Sequence, residues 1–66
     1  MDIMINGERH QVPDAISLER AVSLVTAAAT GIAAAVNGQV VRRAAWPVTV
    51  LAPGDEIEVL TAVQGG

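Results

Sequence analysis

The chain has 66 residues, 52% of them hydrophobic, a formal net charge of -3, and neither cysteine nor lysine. That rules out disulfides, zinc-finger spacings and a thiol nucleophile. It also argues against nucleic acid or anionic membrane as partners, since both need clustered cations. A chain of this size makes one small domain and buries only ~60% of the surface that its unfolded form exposes. Trp46 is the sole aromatic residue, so the core must be aliphatic. Met1-Asp2 opens without a basic stretch, and no apolar run approaches the ~20 residues of a membrane span; a soluble cytoplasmic protein is expected.

Asp2-Ile3-Met4-Ile5 is short and β-prone, Asn6-Gly7 is a strong hairpin signal, and Arg9 to Val12 suits the returning strand. Pro13 ends that pairing because it has no N–H for the ladder. A helix comes next, with Ser17 as N-cap and Ile16 before it as a staple residue. Leu18, Ala21, Val22, Val25 and Ala29 recur at helical spacing and predict one apolar stripe. Thr30-Gly31 supplies the stop, Gly31 being free to take a positive φ. Helix propensity would continue through Ala33-Ala34-Ala35. Asn37-Gly38, set between Ile32–Val36 and Val40-Val41, instead predicts a second hairpin. Arg42 to Val48 is expected to be irregular, because Pro47 blocks regular structure there. Pro53-Gly54-Asp55 is a turn, Glu56 to Val63 is the last and clearest strand, and Gln64-Gly65-Gly66 trails after it.

The predicted order is β-β-α-β-β-β, in a single α+β domain over residues 1–66 that ends in a flexible tail at 64–66. A hairpin cannot bury one side of a sheet alone, so the single amphipathic helix must cover one sheet face. This is the arrangement of the β-grasp, or ubiquitin-like, fold: a mixed sheet of about five strands with one helix packed on one face. In that fold the last strand lies at the centre of the sheet, beside the first and parallel to it.

Several segments resemble one family, the sulfur carrier protein of thiamine (thiazole) biosynthesis. They are Ile3-Met4-Ile5-Asn6-Gly7-Glu8, Val36-Asn37-Gly38-Gln39-Val40-Val41, Arg43 with Trp46, Gly54-Asp55-Glu56-Ile57 and the closing Gly65-Gly66. No single piece is specific; their order, spacing and termination at Gly-Gly are. The resemblance implies that an E1-like adenylyltransferase uses ATP to adenylate the carboxylate of Gly66. Sulfur from a cysteine-derived persulfide protein then makes a thiocarboxylate, and thiazole synthase accepts that sulfur. The chain would be a protein co-substrate and not an enzyme, with no cofactor of its own. The tail fits this chemistry by its composition, since residues without Cβ pass a narrow channel and adopt backbone angles closed to others.

Other candidate groups point to structure. Asp55 belongs to its turn, Glu56 and Glu58 to a solvated strand face, His10 to a strand surface, and Trp46 to a packing anchor. Neither a catalytic constellation nor a metal-ligand set is predicted. Alternation on the last strand puts Ile57 and Val59 under the helix and Glu58, Leu60 and Ala62 on the open face. Leu60, Ala62 and Met4 are expected to form one apolar docking patch there, with Val63, Gln64 and Gly65 leading to Gly66. Three other readings share the fold: the small subunit of molybdopterin synthase, a ubiquitin-like protein modifier, and a plain β-grasp binding module with an inert tail.

Overall fold

The structure, a computed structural model, describes residues 1–28 and 30–61. β1 (Asp2–Ile5) and β2 (Glu8–Gln11) form the first hairpin, with Ile5 opposite Glu8. Asn6 and Gly7 take φ of 52° and 83°, the two left-handed positions of the tight turn that matches the twist of its strands. β3 (Ile32–Val36) and β4 (Gln39–Val41) repeat the device around Asn37 and Gly38, at φ of 50° and 84°. The Ala-rich stretch is therefore strand, as the second Asn-Gly predicts. β5 (Glu56–Thr61) completes a five-stranded sheet in the order β2-β1-β5-β3-β4. It runs parallel to β1 and antiparallel to β3, so the last strand is central, as a β-grasp requires.

Alternation along the strands gives the sheet one buried face. Ile3, Ile5, Ala34, Ile57 and Val59 are buried there together with Leu18, Ala21 and Val22 of α1 (Leu18–Ser23). Ser17 caps the helix as expected, its Oγ accepting the Arg20 N–H at 3.2 Å, and Ile16 beside it is buried. Trp46 enters the same core at 2% exposure.

The helix is shorter than its apolar periodicity predicts. It ends at Ser23, Val25 is exposed, and Ala29 lies outside the described residues. The last turn tightens: the Leu24 N–H bonds to the Ala21 carbonyl and the Val25 N–H to the Val22 carbonyl, each at 3.1 Å. Thr26 Oγ1 then accepts the Ala28 N–H at 3.1 Å, a side-chain bond that competes with the helical ladder. Gly31 does take a positive φ, of 71°, but directly before β3 and not as the helix cap.

Arg43–Val48 is also not irregular; it forms a 3-10 helix that includes Pro47. Proline's fixed φ suits a 3-10 turn as well as an α turn. The Ala45 N–H bonds to the Arg42 carbonyl at 2.9 Å, and Thr49 Oγ1 donates to the Ala45 carbonyl at 2.7 Å. The segment after it pairs back onto the start of α1: the Leu18 N–H bonds to the Thr49 carbonyl and the Leu51 N–H to the Ile16 carbonyl.

Candidate functional site

β5 leads directly into the C-terminal segment, so what holds β5 also sets where that segment begins. The turn before it is tied by Asp55. One carboxylate oxygen accepts the Ala52 N–H at 2.8 Å and the other accepts from the Asn37 side chain at 3.0 Å. Asn37 also binds β5 itself: its Oδ1 accepts the Glu56 N–H at 2.9 Å, and its own N–H donates to the Glu56 carbonyl at 2.7 Å.

On the opposite flank β1 supplies the parallel ladder, with the Met4 N–H on the Asp55 carbonyl and the Asn6 N–H on the Ile57 carbonyl, both at 2.9 Å. The chain then turns away at Asn6-Gly7. The Asn6 side chain takes over where the backbone leaves: Oδ1 accepts the Val59 N–H at 2.8 Å and Nδ2 donates to the Val59 carbonyl at 3.3 Å. A carboxamide carries one donor group and one acceptor, as a peptide unit does, so it extends the ladder by one step.

Both asparagines thus do more than form turns, a role that sequence reasoning missed. A faint signal exists in the residue choice. Asp-Gly makes the same tight turn, but only Asn offers a donor together with its acceptor.

The open face of the sheet carries Met4 of β1, Glu56, Glu58 and Leu60 of β5, Ala33 and Ala35 of β3, and Val40 of β4. Leu60 is 64% exposed and Val40 79%. The expected strand faces hold, with Ile57 and Val59 buried and Glu58 and Leu60 exposed. The expected patch does not hold as drawn. Met4 stands opposite Glu56, whereas Leu60 stands opposite Ala33. Four residues along a strand separate Leu60 from Glu56, about 13 Å at ~3.3 Å per residue. The reason is register: β1 turns away at Asn6 before it reaches the level of Leu60. The apolar neighbours of Leu60 are Ala33 and Val40, with Met4 further along the same face. Ala62, Val63, Gln64, Gly65 and Gly66 lie outside the described residues.

The remaining candidates take structural places. Glu56 and Glu58 are solvated. The Trp46 indole N–H donates to the Val41 carbonyl at 2.8 Å, and the Arg43 guanidinium lies 4.6 Å from the ring centre. His10 is half-buried opposite Ile3, with its Nε2 buried and unbonded. Among the described residues no group of three His, Asp or Glu is placed to hold a metal ion, and no helix is long and apolar enough to cross a membrane.

A mixed sheet with its C-terminal strand central and parallel to the first, covered on one face by a short helix, defines a β-grasp domain. The chain belongs to the ThiS family, the sulfur carriers of thiamine biosynthesis, whose model matches residues 3–66. Two solved structures from Geobacter metallireducens are similar along the whole chain. The crystal structure of the thiamine biosynthesis protein ThiS is 29% identical with a TM-score of 0.83, each chain covering 100% of the other. The solution structure of a thiamine biosynthesis protein is 26% identical with a TM-score of 0.79, covering 100% of this chain and 88% of that one. No curated protein matches the chain significantly.

Proposed function

We propose that this chain carries sulfur for thiazole formation on the carboxylate of Gly66. The observation that supports it is the family match, which runs to residue 66 and so takes in Gly65-Gly66. A carboxylate is a poor electrophile until its oxygen becomes part of a good leaving group. In the proposed cycle an E1-like adenylyltransferase attaches AMP from ATP to Gly66 and releases pyrophosphate. A persulfide sulfur on a donor protein displaces AMP, and a thiol cleaves the resulting S–S bond, forming a disulfide and leaving a thiocarboxylate on Gly66. Thiazole synthase takes that sulfur, and the carrier returns as a carboxylate.

The partners are expected to dock on the open face around Leu60, with Met4 at its far end and Ala62, Val63, Gln64 and Gly65 carrying Gly66 into the active site. Ordering those tail residues costs roughly 1–2 kcal/mol each, which docking contacts must offset. ATP belongs to the activating partner. Deleting Gly66, or extending the chain beyond it, is expected to abolish ATP–pyrophosphate exchange with the activating enzyme while leaving the melting temperature unchanged. Undiminished exchange by the extended protein would overturn the proposal. Intact-mass analysis of protein recovered from cells is expected to show a fraction with one sulfur in place of one oxygen.

A further inference from the structure

We propose that Asn6 is a positioning residue that fixes the outgoing end of β5 and so aims the C-terminal segment. The inference deepens the carrier reading and, in its functional part, rests on it.

Two features of the fold point to this role. The first is where each flank of β5 stops. β3 accompanies β5 to its end, with Ile32 opposite Thr61 and Ala33 opposite Leu60. β1 stops earlier, its last paired residue being Ile5 opposite Ile57. The carbonyls of Asp55, just before β5, and of Ile57 turn toward β1, and Val59 is the next residue to face that flank. With β1 gone, the N–H and carbonyl of Val59 are both taken by one side chain, that of Asn6. Val59 is 7% exposed, and its backbone polar groups find in the Asn6 side chain the partners that a longer β1 would have supplied.

The second feature is the anchorage of Asn6 itself. Its backbone N–H is bonded to the Ile57 carbonyl and its φ is fixed in the turn at 52°. The side chain therefore departs from a backbone already pinned to β5. Fixed at both ends, this bridge holds the strand two residues before the last described one, Thr61. Removing it leaves the end of β5 held from the β3 side only, and the direction of the exit broadens.

Asn37 provides a matched comparison. It sits at the same position of the same turn type, with φ of 50°, and its side chain also binds β5. But it grips Glu56, at the start of the strand and away from the exit. Asn6→Gly and Asn37→Gly make the same backbone change, glycine being at ease at positive φ, and each deletes a clamp on β5. Only the first deletes the clamp near the exit.

The test measures steady-state adenylation of full-length carrier by its activating enzyme, amide exchange in the free carrier, and melting of each variant. Two lost hydrogen bonds correspond to about a tenfold effect. In Asn6→Gly the Val59 amide is expected to exchange about tenfold faster than in Asn37→Gly. Its KM for activation is expected to rise about three- to tenfold above that of Asn37→Gly, with kcat within about twofold, as for an interaction that prepares binding. Asn6→Asp, which keeps the acceptor and loses the donor, is expected between wild type and Asn6→Gly, and it serves as the variant if Asn6→Gly does not fold. Equal KM for the two glycine variants, tracking their melting temperatures, would make Asn6 structural only and overturn the proposal. So would unchanged Val59 exchange in the Asn6 variants. If wild-type carrier is not adenylated at all, the carrier reading fails, and the exchange contrast alone upholds or overturns the clamp.

Discussion

Ala15 holds φ at 60° on an exposed turn between β2 and α1, a left-handed conformation that costs an alanine roughly 1–2 kcal/mol. Glycine would remove that cost but lose more entropy on folding, so Ala15→Gly is expected to stabilise the domain by about 0.5–1 kcal/mol. In a domain this small that corresponds to a rise in melting temperature of roughly 2–8 °C. A fall would show that the Ala15 methyl contributes packing that its exposure conceals. Trp46 is the opposite kind of residue, fully specified by its surroundings. Its ring fills the aliphatic core at 2% exposure while its one polar atom reaches the Val41 carbonyl. The sequence identified it as an anchor because a lone large aromatic among so many alanines has no rival for that volume.

Among the elements, β5 matters most, because its two faces have different tasks. Val59 is 7% exposed and packs in the core, while Leu60, its neighbour in sequence, is 64% exposed on the open face. Leu60→Asp is therefore expected to change folding stability by less than about 1 kcal/mol, the range for surface strand substitutions. A leucine buried at an interface contributes roughly 1.5–3 kcal/mol, so the same variant should bind the activating enzyme about tenfold more weakly. Val59→Asp reverses the pattern, since it buries an unpaired carboxylate and unfolds the domain first. Titration and melting of both variants check this pair. Normal binding by Leu60→Asp would confine recognition to other surfaces. α1 shows a different balance. Six residues are too few to be stable alone, and the helix exists because Leu18, Ala21 and Val22 seal the sheet. Past Ser23 the chain runs beyond the core, with Leu24 at 52% exposure, and alanine propensity alone does not extend it.

Taken as a whole, the molecule is closed by the pairing of β1 with β5. Met4 lies beside Glu56 and Ile5 beside Ile57 in the parallel β1–β5 ladder, so the central strands cannot part without opening the core. Among the described residues β4 pairs with β3 alone, and it runs for three residues at the sheet edge. Hydrogen exchange is expected to follow this hierarchy. The amides of Met4 and Asn6, which bond to the carbonyls of Asp55 and Ile57, should exchange only through global unfolding, with the free energy found by denaturant titration. Those of β4 should exchange through local opening at lower cost. Equal protection at the edge and the centre would contradict the topology.

By itself the sequence determined both hairpins, the helix start, the faces of β5 and the family. Each rests on chemistry local in the chain: Asn-Gly for tight turns, Ser17 for a cap, alternation for a strand with one buried side. The carrier reading was legible in the same way, from short segments in a fixed order ending in Gly65-Gly66. Only the tertiary structure decided where α1 ends, since periodicity extends past the point at which there is a core to cover. It also decided that Arg43–Val48 winds into a 3-10 helix that delivers Trp46 to the core. Register was likewise beyond local patterns. Strand faces follow from alternation, but which residues meet across β1 and β5 depends on where β1 turns away. That separates Met4 from Leu60, and it leaves Val59 to the side chain of Asn6, 53 residues earlier in the chain.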